Sequence, residues 1–583
     1  MVLINKEEFS KAVYLKKLNL EALSSPLMKL LKIDDLNELY DKYGDIQGID
    51  FIDAVFKELD IKFEVDEKDM QNIPKEGAFI AIANHPYGGM DGMILLKIFT
   101  QVRPDFKAMA NFLLHKVKNL ESYIIPVNPF DNLALDQSSL KGIKQTLECL
   151  QQGSPIGIFP AGEVSSFQTD SKQIADIEWK PAIGKIIKKA KVPIIPVHFT
   201  GSNSYLFNLL GMIHPSFRTV KLPSELFNKK GTVIKVRIGK AITQKTLAQF
   251  PQNDQLVRYL RARTYALETP LEVKKFFTAP LILKKKTEEI VSEIPVEIIE
   301  AEIKTLYNKT NHLFTQDYFD VFICYHTKIP NILNEIGRLR EITFREVGEG
   351  TNKSTDTDEF DLYYHHLFVW DNENKKIVGA YRIGKGNDIY RKFRKKGFYI
   401  NTLFKISNGF VPVLRQSLEL GRSFIRKEYQ QKHLPLFLLW KGILLFLQQN
   451  PFYKYLIGAV SISNNFSKTS KVLMIEFIKK YYFNHELAKY IEPRKQFTFD
   501  PSEVDSEILI HKEENSIKNL DDLISEIEPL NLRVPVLMKK YFKQDAKILG
   551  FNIDPKFANS LDGFMIMDVG NVPDDTIKML EKS

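Results

Sequence analysis

Two groups of residues in this 583-residue chain have the types and spacing that acid–base chemistry needs. The first is Asn84-His85-Pro86-Tyr87-Gly88-Gly89-Met90-Asp91-Gly92, directly after the apolar run Ala78-Phe79-Ile80-Ala81-Ile82-Ala83. A histidine at a strand end and an aspartate entering the next helix can share a hydrogen bond. The carboxylate then fixes the tautomer, and the other ring nitrogen can take a proton from an incoming hydroxyl. Gly88 and Gly89 permit a tight turn with backbone N–H groups exposed near a reacting carbonyl. An isolated His and Asp in a glycine-rich turn are as well explained without chemistry. Two further blocks add weight: Phe159-Pro160-Ala161-Gly162-Glu163-Val164-Ser165, which also follows a strand, and the proline-bounded strand Val192-Pro193-Ile194-Ile195-Pro196-Val197. Lys107 and Arg218 are read as solvated surface residues and left out of the catalytic set.

The second group lies beyond residue 330. Ile336 to Arg345 reads as a helix carrying Arg338, Arg340 and Phe344; an acidic loop, Gly348 to Asp361, holds Asp356, Asp358 and Asp361. A hairpin, Tyr364 to Asp371 and Lys376 to Ile383, includes Arg382, and Ser417 to Ser423, with Glu419 and Arg422, is expected to end a strand and enter a helix. An amine attacking a thioester must first be neutral, so a carboxylate has to accept its proton. Arg340, Arg382 and Arg422 could clamp the carboxylate of a free amino acid, and Asp358 and Asp361 a second ammonium. Structural ion pairing explains each of these residues equally well. His365 and His366 point to opposite faces of a strand, so one shared metal ion is not expected.

The elements that must position these residues follow from length and pattern. One hydrophobic core stops growing near roughly 250 to 300 residues, so two domains are expected. Apolar strands at Ala78–Ala83, Tyr123–Val127, Ile156–Phe159, Val192–Phe199 and Val233–Ile238 alternate with helical stretches, which argues for a mainly parallel α/β sheet with its site at the strand ends. The expected division is a helical region over 1–70, an α/β domain over 71–270, a linker over 271–300 and a second domain over 301–583. The linker includes the Lys284-Lys285-Lys286 cluster.

Apolar content of 44% with 26% charged residues suits a folded chain. Cys149 and Cys324 alone make no disulfide framework or metal spacing, and the start of the chain lacks a signal-peptide pattern, so a cytoplasmic setting is expected. The apolar run Leu434 to Leu447 is too short for a span and reads as a buried helix. A net charge of +9 suits an anionic membrane leaflet or an acidic carrier protein; no nucleic-acid motif accompanies it. Leucines and lysines around Leu18 to Leu31, with Lys16 and Lys17, suit an interfacial helix or a core helix equally.

The first half resembles the glycerolipid acyltransferase family, typified by lysophosphatidate acyltransferases, through Asn84-His85 and Asp91, the Phe159 to Ser165 block and the Val192 to Val197 strand. That resemblance implies acyl transfer from a thioester to a lipid hydroxyl, with His85 as general base and Asp91 as its orienting partner. It also implies Asn84, Gly88, Gly89, Phe159, Pro160, Gly162, Glu163 and Ser165 as substrate-binding residues. The sequence departs from the family's pattern in two ways. Five residues rather than four separate His85 and Asp91, and Val164 stands where an arginine would meet a glycerol phosphate. An acceptor without that phosphate is therefore expected.

The second half resembles the ornithine N-acyltransferases and, more distantly, the acyl-homoserine-lactone synthases, through Arg340 and Phe344, Asp358 and Asp361, Arg382, and Glu419 with Arg422. The implied fold is an N-acetyltransferase-like α+β domain, with Glu419 as the base that takes the amine's proton. Together the halves resemble bifunctional ornithine-lipid synthases. The implied route is N-acylation of an amino acid, ornithine favoured, with a 3-hydroxyacyl group, then O-acylation of the lyso-aminolipid. Acyl carrier protein or CoA thioesters serve as substrates, with no cofactor, and the enzyme works on the inner face of the cell membrane. The alternatives are a lysophospholipid acyltransferase with an inactive C-terminal domain, and a non-catalytic membrane or carrier-protein binding module.

Overall fold

The computed structural model describes residues 3–12, 24–111, 117–127, 137–168, 173–213, 215–268, 287–430, 432–510, 516–529 and 532–573. Most of the expected linker, with its lysine cluster, lies outside them, as do Lys16 and Lys17. The chain divides into two compact units, residues 1–272 with 500–514 and 522–532, and residues 273–499 with 515–521 and 533–583. The two late segments join the first unit, whereas the sequence reading groups everything past 300 together. Ion pairs distant in sequence hold them there: Arg258 with Asp505 (2.6 Å) and Glu507 (2.8 Å), and Arg263 with Glu526 (2.7 Å).

The first unit is built on β1 (Lys62–Val65), β2 (Ile80–Ala83), β3 (Lys107–Asn111), β4 (Ile124–Val127), β5 (Ile156–Ile158), β8 (Ile194–Phe199) and β9 (Val233–Ile238). They form one sheet in the order β1-β9-β8-β2-β5-β3-β4; β6 (Ser166–Gln168) and β7 (Gln173–Ala175) make a separate hairpin. Every neighbouring pair in the sheet is parallel except β8 with β9. The expected α/β class is what the fold shows. Ile80, Ala81, Ile82 and Ala83 of β2 have no exposed surface, as a central parallel strand covered on both faces requires. β1 and β3 escape the sequence pattern because Lys-Phe-Glu-Val and Lys-Ala-Met-Ala-Asn carry too little apolar signal to read as strands.

The second unit is an eight-stranded sheet of β10 (His312–Gln316), β11 (Phe319–Tyr325), β12 (His365–Asp371), β13 (Lys376–Lys385), β15 (Ser417–Ile425), β16 (Tyr455–Ile462), β19 (Ser560–Asp568) and β18 (Lys547–Asp554), in that order. β14 (Phe404–Ile406) pairs with β17 (Ile491–Pro493) apart from it. All pairs in the large sheet are antiparallel except β15 with β16. That parallel register runs only from Ser417↔Tyr455 to Leu420↔Gly458, although both strands continue. Ser417 to Ser423 therefore does not lead into a helix; it is strand, with an irregular register against β13 and Arg422 at φ 50. The helix Pro330–Glu346 carries the arginines, as anticipated. His433–Gln448 is a helix burying Leu438, Leu439, Ile443, Phe446 and Leu447, and among the described residues no helix is long and apolar enough to cross a membrane.

Asn84 staples β2 to β8: its Nδ2 donates to the Phe199 carbonyl (2.9 Å), and its Oδ1 accepts from the Phe199 N–H (2.7 Å). Asn84→Ala should leave both buried backbone groups unpaired and cost about 2–4 kcal/mol, read as a lower denaturant midpoint.

Candidate active sites

The helix Gly89–Thr100 begins at the carboxyl end of β2, and its third residue is Asp91. The Asp91 side chain has no exposed surface, and its Oδ2 lies 3.0 Å from His85 Nδ1. The same oxygen accepts the N–H groups of Tyr87 (2.8 Å) and Gly88 (3.0 Å). A carboxylate at a helix N-terminus also gains from the helix dipole. Burial pushes the Asp91 carboxyl pKa up, while His85 and the two N–H groups pull it back. The turn's N–H groups expected to face a reacting carbonyl are thus partly committed elsewhere, because Tyr87 and Gly88 spend theirs on Asp91. The extra residue between His85 and Asp91 is accommodated at Gly88, whose φ is 77 and where a Cβ would come within 3.1 Å of Leu222 and 3.3 Å of Val164.

The backbone of His85 is held from the other side. Its N–H donates to Asp176 Oδ1 (3.1 Å), and its carbonyl accepts from Ser165 N–H (2.9 Å). Asp176 also accepts from Ser165 Oγ (2.5 Å) and Trp179 Nε1 (2.9 Å), while its own N–H donates to the Tyr265 hydroxyl (2.8 Å). Sequence reading missed Asp176, because a single aspartate outside the recognisable blocks carries no local signal. Phe159 stacks on the His85 ring, centroids 4.3 Å apart, and Pro160 and Gly162 shape the turn after β5. Among the described residues, no hydrogen-bond partner meets His85 Nε2.

Arg218 is not a solvated surface residue: its side chain is 13% exposed and pairs with Glu163 at 2.7 Å. The acid opposite it lies beyond the reach of local pattern. Lys107 opens β3, at the strand end opposite to the site.

In the second unit the arginines and aspartates meet each other. Arg340 Nη1 donates to Asp361 Oδ1 (2.9 Å), Arg382 Nη1 lies 3.2 Å from the same oxygen and also donates to Asp358, and Arg422 Nε lies 3.0 Å from Asp356. Asp361 is buried, which would raise its pKa, yet Arg340 and Arg382 hold it well below the usual carboxylate range. Rings of Phe360, Tyr364 and Tyr399 surround the Arg382 guanidinium at 5.3–5.5 Å, and Tyr399 and Phe557 cover Arg422. Phe344 packs edge-on to Phe557 in the core, 5.3 Å between centroids. His366 Nε2 bonds the Asp361 carbonyl (2.9 Å), and burial lowers both His365 and His366, to about 3 and about 4.

Glu419 is fully buried, and burial pushes its pKa up to about 6. Its carboxylate already accepts from the Tyr364 hydroxyl, Tyr399 N–H (3.2 Å) and Ile400 N–H (2.6 Å). These donors position the carboxylate and hold the 397–400 segment to β15. Two further acids of this unit went unnoticed in the sequence: burial raises Asp562 to about 7 and Glu349 to about 8, each also raised by neighbouring carboxylates.

A histidine–aspartate pair thus stands at a strand end in the first unit, and a buried carboxylate held by three donors stands in the second. Residues 6–274 match the family described as acyltransferase, and residues 339–440 the acetyltransferase (GNAT) domain. A lyso-glycine lipid O-acyltransferase of Bacteroides thetaiotaomicron is 31% identical over 252 residues, covering 42% of this chain and 89% of that protein. A glycine N(alpha)-acyltransferase of the same organism is 29% identical over 312 residues, covering 49% and 88%. Among solved structures, the 1-acyl-sn-glycerophosphate acyltransferase of Thermotoga maritima covers 38% of this chain and 83% of its own at 16% identity, TM-score 0.23. The chain belongs to the acyltransferase family, with a GNAT domain joined to it.

The raised carboxyls of Glu349 and Asp562 keep protons in the folded state that the unfolded chain releases. Their contribution to stability is therefore present at low pH and lost as pH rises through about 7 and 8. Denaturant melts from pH 6 to 9 should show the second unit weakening with pH, and Asp562→Asn should flatten that slope.

Proposed function

We propose that this chain is a two-step aminolipid synthase. The second unit N-acylates an amino acid with a 3-hydroxyacyl group, and the first esterifies the new hydroxyl with a second acyl chain. The observation that carries this reading is the His85–Asp91 pair, 3.0 Å apart at the end of a buried strand, in a chain that also holds a GNAT domain. Two separate enzymes of one organism, one named for N-acylation of glycine and one for O-acylation of a lyso-glycine lipid, each match close to half of it.

In the first unit, His85 Nε2 takes the proton as the acceptor's hydroxyl oxygen attacks the thioester carbonyl. The C–O bond forms, the C–S bond breaks, and the thiol leaves with the proton, while Asp91 stabilises the imidazolium between the two transfers. In the second unit, Glu419 is the proton acceptor for the amine, reached by exchanging one of its present donors. β15 and β16 part beyond Leu420 and free backbone groups that an amide-bearing thioester arm can bond.

The acceptor proposed for the second unit is an amino acid without a side-chain ammonium, glycine being the simplest, in place of the ornithine that the family resemblance favours. Support comes from Asp358 and Asp361, the carboxylates a second ammonium would need, which Arg340 and Arg382 already neutralise. Acyl carrier protein is the proposed donor, matched in charge by a chain of net charge +9. Peripheral placement on the inner membrane leaflet is supported by exposed Tyr205, Leu206 and Leu209 beside Phe167 and Ile174 of the β6–β7 hairpin.

Expression of the full chain in a host without aminolipids, followed by mass spectrometry of total lipid, tests the proposal. An amino-acid lipid should appear with a head-group fragment of glycine mass. His85→Ala should leave the mono-acylated form, and Glu419→Ala should remove both. No amino-acid lipid from the wild type would end this reading. Asp91→Asn should slow the O-acyl step by about 10²–10⁴-fold.

A further inference from the structure

We infer that Arg218 is the cation that binds the free carboxylate of the lyso-lipid acceptor in the first unit; this rests on the function proposed above. An N-acylated amino acid has lost its amine charge but keeps its α-carboxylate. Six bonds separate the 3-hydroxyl oxygen from the carboxylate carbon of an N-(3-hydroxyacyl)glycine, a reach of about 7 Å when extended. With the hydroxyl at His85, a partner for that negative charge has to stand close to the catalytic turn.

The block after β5 supplies no cation, since Phe159 to Ser165 contains only Glu163 as a charged residue. The helix Pro215–Asn228 does supply one. Leu222 of that helix packs at Gly88 in the turn, together with Val164, the residue after Glu163. Arg218 lies four residues before Leu222 and so on the same helix face. Its NH2 is tied to Glu163 (2.7 Å), whose block is bonded to the turn through Ser165 N–H and the His85 carbonyl. Glu163 takes one of the five guanidinium N–H groups, and among the described residues the others meet no partner. Glu163 therefore orients the guanidinium and leaves donors for a second, bidentate carboxylate.

Two other cations near the turn are committed, and a third, Arg261, lies with Asp176 on the backbone side of His85. Lys229 donates to the Ser202 carbonyl (2.7 Å) and lies over the Tyr87 ring (4.9 Å), Lys221 pairs with Glu225 (3.5 Å), and Arg261 donates to the Asp176 carbonyl (2.9 Å). Arg218 is the cation placed to select an acidic acceptor.

The test uses the full-length protein with an acyl thioester donor and two acceptors, N-(3-hydroxyhexadecanoyl)glycine and its methyl ester, which differ only in the carboxylate charge. The wild type should favour the acid, and Arg218→Gln should reduce the acid-over-ester ratio of kcat/KM about 10- to 100-fold, mainly through KM for the acid. Arg218→Lys should keep part of the preference. A purely structural role for Arg218 would lower activity on both acceptors alike and leave the ratio unchanged, which overturns the assignment; so does a wild type that treats acid and ester equally. A wild type that acylates neither acceptor removes the proposed function itself, and the assignment with it.

Discussion

A carboxylate without exposed surface at the start of a helix must find its donors in the adjoining turn, and Asp91 finds them in Tyr87 N–H and Gly88 N–H, with His85 Nδ1 3.0 Å from the same oxygen. Oδ2 alone serves all three. The arrangement ties the angle of the histidine ring to the path of the backbone, so the turn cannot relax without moving that ring. Gly88 is the residue that lets the chain take this path, with positive φ and only tight room for a Cβ between Leu222 and Val164. Asp176 completes the constraint by fixing the main chain of His85 together with the Ser165 hydroxyl. Two buried carboxylates thus hold one histidine, one through its ring and one through its backbone. This is the kind of supporting shell that keeps a general base aligned with its substrate.

The second unit solves a different problem. Arg340 and Arg382 are buried and Arg422 is half-buried, and an unpaired guanidinium there would be costly. Asp356, Asp358 and Asp361 neutralise them, and aromatic rings cover Arg382 and Arg422. Replacing one partner would leave the other charge stranded, which makes the cluster a rigid frame rather than a set of independent contacts. Glu419 sits outside this ion lattice, held by a hydroxyl and two backbone N–H groups, and desolvation lifts its pKa toward neutrality. Asp361 is therefore held as an anion while Glu419 is kept closer to the point of accepting a proton, which is the separation acid–base chemistry calls for.

The amino-acid sequence by itself determined the parts that depend on neighbours along the chain. The apolar runs of β2, β5 and β8 are legible because both faces of a central parallel strand are buried. The helix start at Gly89 and Asp91, the two-unit organisation and the buried helix at 433–448 follow from local composition in the same way. The resemblance of the two halves to acyltransferases rests on such short blocks. Tertiary structure alone decided what depends on partners far along the chain: Asp176 under His85, Arg218 against Glu163, the Arg258 and Arg263 pairs that draw residues 500–514 and 522–532 to the first unit, and the strand rather than helix at Ser417 to Ser423. Hydrophobic periodicity records which side of an element faces a core. It does not record which charge will face which once the core has formed, because that pairing is fixed by packing across tens to hundreds of residues.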